Sequence, residues 1–125
     1  MTNKKLSTRY YSGMQEKKIA SDIGGKQTPN SGARPYQKGD VSSTRFYKDE
    51  NGETREREDF LIEAKTSMTD KQSFAIKKQW LTTLKEEAFQ AGKTNYALAF
   101  SFGPKQPNYY ILSEDKFKQL IGTEE

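Results

Sequence analysis

The stretch EDFLIEAKTS, residues 58–67, decides how this chain is read. In an extended strand successive side chains point to opposite faces. Phe60, Ile62, Ala64 and Thr66 therefore share one face, and Leu61, Glu63, Lys65 and Ser67 share the other. Apolar neighbours flank the charged pair, as in a strand set within a sheet. Glu63 and Lys65 thus bring a carboxylate and an amine to one small site. A second acid, Asp40, supplied by a neighbouring strand, would let that site hold a divalent cation beside an amine and a water molecule.

Upstream, Asn51-Gly52 within Lys48–Thr54 marks a tight turn, because that pair readily adopts positive φ. A strand is expected before it, from Gly39 to Tyr47. Earlier still, residues 26–38 carry Pro29, Asn30, Ser31, Gly32 and Pro35 and read as a basic loop. Ser12 can cap a helix that carries Met14, Glu16, Ile19 and Ile23, stopped by Gly24 and Gly25. Downstream, Ile76, Trp80, Leu84, Ala88 and Ala91 recur at threes and fours, which predicts a helix over residues 73–92. Two short apolar strands follow, Tyr96 to Phe102 and Asn108 to Leu112, separated by a turn at Gly103-Pro104. Ser113 caps a last helix with Phe117, Leu120 and Ile121 as its expected inner face. The expectation is a mixed α/β chain in the order α-β-β-α-β-β-α. Residues 1–11 read as a basic flexible arm and residues 12–125 as one domain.

Composition narrows the chemistry. The chain has 125 residues, 32% of them hydrophobic and 12% aromatic, so its core must be small. It contains no histidine and no cysteine, which excludes disulfides, thiol nucleophiles, histidine acid–base catalysis and the usual zinc sites. Catalysis would have to run on carboxylates, lysine and metal-bound water, a set suited to phosphodiester hydrolysis. The net charge of +4 is unevenly spread: residues 1–48 hold ten basic and three acidic residues, and residues 49–59 hold two basic and six acidic. The front of the chain is the candidate surface for a polyanion, with a solubilising tail as the alternative on charge alone. The acidic turn would point away from such a ligand. No apolar run approaches the length of a membrane span or of a signal peptide, so a cytoplasmic protein is expected, in a bacterial or phage-infected cell.

Together these pieces resemble the PD-(D/E)XK nuclease superfamily, which has the restriction-endonuclease-like fold. The matching parts are Glu16 on the early helix, "KGD" at 38–40 opening a strand, and "IEAK" at 62–65 on the next strand. Within it the chain looks most like the small Holliday junction resolvases, including those phages encode, on "SGAR" at 31–34, Gln79, and "EEAFQAG" at 86–92. The likeness spans roughly residues 12 to 112, although the motif's proline is replaced by Gly39. It implies a central mixed β-sheet flanked by helices, with Asp40, Glu63 and the Ala64 carbonyl binding Mg²⁺, for which Mn²⁺ could substitute. Lys65 would orient or deprotonate the attacking water.

Several assignments keep two readings. Glu16 is either a third acid of the cluster or an exposed helix carboxylate paired with a lysine. Gln79 faces either the site or solvent. Ser31 and Arg34, helped by Lys26 and Lys38, either hold DNA phosphates or belong to a loop with incidental charges. Trp80 reads as core, and Asp59 is a weaker rival to Asp40 because it precedes its strand. The leading expectation is a structure-selective DNA endonuclease acting on branched junctions as a homodimer. Another nuclease of the same core (nicking, repair or exonuclease) and a non-catalytic nucleic-acid-binding protein are the alternatives.

Overall fold

A computed structural model describes residues 8–28 and 40–123. The decisive stretch forms the strand β5 (Phe60–Lys65), and its alternation is realised on both faces. On one face Ile62 joins Ile19, Val41 and Ala99 in a buried cluster flanked by Phe60 and Ala64. On the other, Leu61 joins Leu84, Ala88 and Leu98. The first cluster is covered by helix α1 (Thr8–Ile23) and the second by helix α2 (Lys78–Gln90). A strand buried on both faces makes a three-layer arrangement, helix on sheet on helix.

Five strands build the sheet, in the order β1-β2-β5-β6-β7. They include β1 (Lys26–Gln27), β2 (Val41–Ser43), β6 (Asn95–Ser101) and β7 (Asn108–Ile111). β2 runs antiparallel to β5, with Val41 opposite Ile62. β6 runs parallel to β5, with Glu63 opposite Leu98 and Lys65 opposite Phe100, and the parallel step is made through α2. The chain is therefore mixed α/β, with three helices and a mixed five-stranded sheet among the described residues.

The expected strand from Gly39 to Tyr47 is two strands. β2 ends at Ser43, and β3 (Phe46–Lys48) pairs with β4 (Thr54–Glu56) in a separate, exposed ribbon. Its turn forms where Asn51-Gly52 predicts it. Gly52 takes φ +78°, and the Asp49 carboxylate accepts the N–H groups of Asn51 and Glu53. The chain leaves the sheet at Thr44 because Arg57 holds that corner. Its guanidinium donates to the carbonyls of Thr44 (2.9 Å), Ile23 (3.2 Å) and Gly24 (2.9 Å), tying the ribbon's base to the end of α1.

The helices depart from expectation in three places. α1 begins at Thr8, so Arg9, Tyr10 and Tyr11 are helical and only residues 1–7 of the expected arm lie outside the described residues. α2 begins at Lys78 rather than near Ser73. Ile76 does pack against the α2-side core, but from the irregular segment before the helix, where the Phe74 ring lies 5.7 Å from that of Phe100. Helix α3 (Glu114–Ile121) starts at Ser113 as expected, whose Oγ accepts the Lys116 N–H. Its expected inner face is the exposed one, with Phe117, Leu120 and Ile121 all more than half accessible. The buried residue is Lys116, whose Nζ is 2.7 Å from Glu58 and also donates to Gln119. No helix among the described residues is long and apolar enough to cross a membrane.

Candidate functional site

The site forms where β5 outruns β2. The Asp40 N–H donates to the Ile62 carbonyl at 2.9 Å, and its own carbonyl accepts from Thr28. With the backbone so fixed, one Asp40 carboxylate oxygen accepts the Ala64 N–H at 2.8 Å, replacing the ladder bond that a longer β2 would make. Asp40 is only 8% exposed. In an extended strand a residue's C=O lies on the same edge as its N–H, so the Ala64 carbonyl also faces this gap.

Glu63 and Lys65, flanking Ala64, point to the α2 side. Lys65 Nζ is 3.4 Å from a Glu63 carboxylate oxygen and 4.5 Å from the centre of the Trp80 ring. They line a cleft of about 320 Å³ together with Lys77, Gln79, Trp80 and Thr83. Gln79 therefore faces the site. Trp80 is both core and wall, packed against the Leu61–Leu84 cluster while its ring underlies the Lys65 amine.

Burial and mutual repulsion set the electrostatics. Glu63 is pushed up to about 7, first by burial and then by the Asp40 charge, against the opposing pull of Lys65. On the α1 side Glu16 is likewise pushed up to about 7, by burial and by Asp40, and is partly relieved by a hydrogen bond from Gln27. Asp40 thus acts on one acid on each side of the sheet. Asp59 is at the other end of β5, where its carboxylate accepts the Thr94 N–H, so it takes no part.

Among the described residues no group of three or more acidic side chains is arranged to hold a metal ion. The donor chemistry still fits a hard dication in kind, with the Asp40 and Glu63 carboxylates and the Ala64 carbonyl all oxygen ligands. Burial first, and the Asp40 charge second, raise both Glu63 and Glu16, and a bound cation would relieve that repulsion.

Of the other residues expected to contact DNA, Lys26 is exposed on β1, paired in register with Ser42. Ser31, Arg34 and Lys38 lie outside the described residues. Sequence reasoning missed Gln15. That side chain, 7% exposed, donates to the Lys65 carbonyl at 2.7 Å and to Asn108 Oδ1 at 3.0 Å, steadying the end of β5 from α1. A polar residue four positions before Ile19, on the face α1 turns to the sheet, is the signal that could have found it. It also missed Lys77, Thr83 and the Gln27 contact to Glu16.

In comparisons with known proteins, no family model, no curated protein and no solved structure matches this chain.

Proposed function

We propose that this chain is a Mg²⁺-dependent DNA endonuclease built on a restriction-endonuclease-like core, hydrolysing phosphodiester bonds at branched junctions as a homodimer. The observation that carries the reading is the Asp40 carboxylate bonded to the Ala64 N–H while Glu63 and Lys65 flank that residue. The sheet supports it: the acid-bearing strand is antiparallel to β5, and β5 is parallel to the strand after the intervening helix.

In this reading Asp40, Glu63 and the Ala64 carbonyl hold the metal. When bound, the ion supplies positive charge to phosphate oxygens and acidifies water. Lys65, fixed between Glu63 and the Trp80 ring, orients the attacking water and the phosphate. Glu63, pushed up to about 7 by burial and by Asp40 in the metal-free chain, would give up its proton on taking the metal. Gln79 offers an amide to water or phosphate from the opposite wall. Two such sites about a two-fold axis would suit the symmetry of a four-way junction.

The absence of a three-acid group among the described residues favours a second reading, a nucleic-acid-binding protein that does not cut. One experiment separates the two. Purified protein is incubated with a four-way junction, a flap, linear duplex and single strand, in Mg²⁺ or in chelator. Mg²⁺-dependent cleavage of the junction, abolished by Asp40→Ala and by Lys65→Ala, is expected. Equal cleavage of all four substrates would remove the junction preference. Binding with no cleavage of any, unchanged in both variants, would establish the second reading.

A further inference from the structure

The cleft beside Glu63 contains a second amine that the hydrolysis described above does not use. Lys77 Nζ stands 5.8 Å from the centre of the same Trp80 ring that underlies Lys65. The two lysines differ in their partners. Lys65 faces Glu63, whereas no carboxylate pairs with Lys77 among the described residues. An exposed lysine is ordinary on any surface, and exposure alone makes no site. Lys77 is distinguished by its platform: Trp80 is half-buried and packed against the α2-side core. Two amines therefore stand near one indole ring, and Lys77 adds to the cleft a positive charge that Glu63 does not pair, although Asp40 and Glu87 also act on Glu63.

We propose that Lys77, steadied by Trp80, anchors the phosphate that flanks the one held at Glu63 and Lys65, so that the cleft grips two consecutive phosphates of one strand. This rests on the nuclease reading of the same site. A lysine amine is a compact point charge without the fork geometry that reads base edges. The anchor therefore contributes affinity independent of sequence.

Trp80 is the chain's one tryptophan, so its fluorescence reports on this cleft directly. The probe is a single-stranded 12-nucleotide DNA, titrated in chelator so that binding is read without turnover. Lys77→Ala is compared with Lys78→Ala, which removes the same charge from an exposed neighbour that does not line the cleft. The oligonucleotide is expected to change Trp80 fluorescence in the wild type and in Lys78→Ala. Lys77→Ala should weaken binding by about 5- to 10-fold for every sequence tried and lower the salt slope by about one, and Lys77→Arg should restore both. Equal losses in the two alanine variants, or a Trp80 signal that the oligonucleotide leaves untouched, would overturn the anchor. Cleavage of a four-way junction in Mg²⁺ is scored on the same proteins. Wild-type cleavage with Lys77→Ala unimpaired in binding and rate sinks the anchor and leaves the nuclease reading standing. Lys77-dependent binding without cleavage by any of them keeps the anchor and sinks the nuclease reading.

Discussion

Glu63 occupies a place that disfavours its charge, and that gives it a measurable signature. In the folded chain it holds its proton up to about 7, against an ordinary value of 4.5. Between those values the folded state binds more protons than the unfolded state, so stability falls as pH rises through that window and stays low above it. The charged groups acting on Glu63 are Asp40 and Glu87, which raise it, and Lys65, which lowers it. Glu63→Gln removes the buried charge but keeps the shape. Its melting temperature should exceed that of the wild type at pH 8 and converge with it below pH 5, while cleavage of a junction falls by about 100-fold or more. A variant that melts below the wild type at pH 8 would show that Glu63 is stabilised rather than strained. This pair was legible in the sequence because alternation along one strand suffices to put Glu63 beside Lys65. For Gln15 only its place on the sheet-facing side of α1 was legible; its partners, the Lys65 carbonyl and Asn108, lie 50 and 93 residues away and carry no local pattern.

Among the elements, α1 depends on contacts from far along the chain. The helix closes with Gly24 at φ +66°, and Gly25 lies so close to β2 that a Cβ there would stand 2.5 Å from the Ser42 carbonyl. Arg57 then takes the carbonyls of Ile23 and Gly24, two groups a helix end leaves unpaired. Arg57→Ala should cost about 1 to 2 kcal/mol in urea unfolding and raise hydrogen exchange at the end of α1 and the base of the ribbon. An unchanged midpoint with unchanged exchange would mean that water serves those carbonyls equally well. The ribbon also shows where local reading stops. Asn51-Gly52 specifies its turn, yet nothing in Ser43-Thr44-Arg45 announces that the chain departs from the sheet, because Arg57 makes that break from thirteen residues away. α2 misled for a related reason: Ile76 falls at helical spacing but reaches the same core from the irregular segment before the helix. In α3 the apolar stripe is real, but the helix docks through Lys116 on Glu58, a pairing 58 residues apart.

For the molecule as a whole, stability rests on two thin clusters of four fully buried residues each, one on either side of the sheet. Leu98, with no exposure, is central to the α2-side cluster. Leu98→Ala should cost about 2 to 4 kcal/mol, a large share of what a small domain possesses, whereas Leu120→Ala on the open face of α3 should leave thermal melting nearly unchanged. Comparable losses from the two would mean that α3 is covered in solution. Because the clusters meet at β5, binding at its end should be felt in global unfolding. A cation that binds the folded chain and not the unfolded one stabilises by mass action, about 2.7 kcal/mol at a hundred times Kd. On the proposed Mg²⁺ reading, magnesium chloride should raise the wild-type melting temperature by about 5 to 10 °C over sodium chloride of equal ionic strength. Asp40→Asn and Glu63→Gln, each lacking a carboxylate ligand, should lose most of that rise. Lys65→Ala should keep it, since the amine is not a ligand, although its cleavage is lost. The same rise in all four proteins would locate the ion elsewhere on the surface and separate the acids of β5 and its neighbour from any metal chemistry.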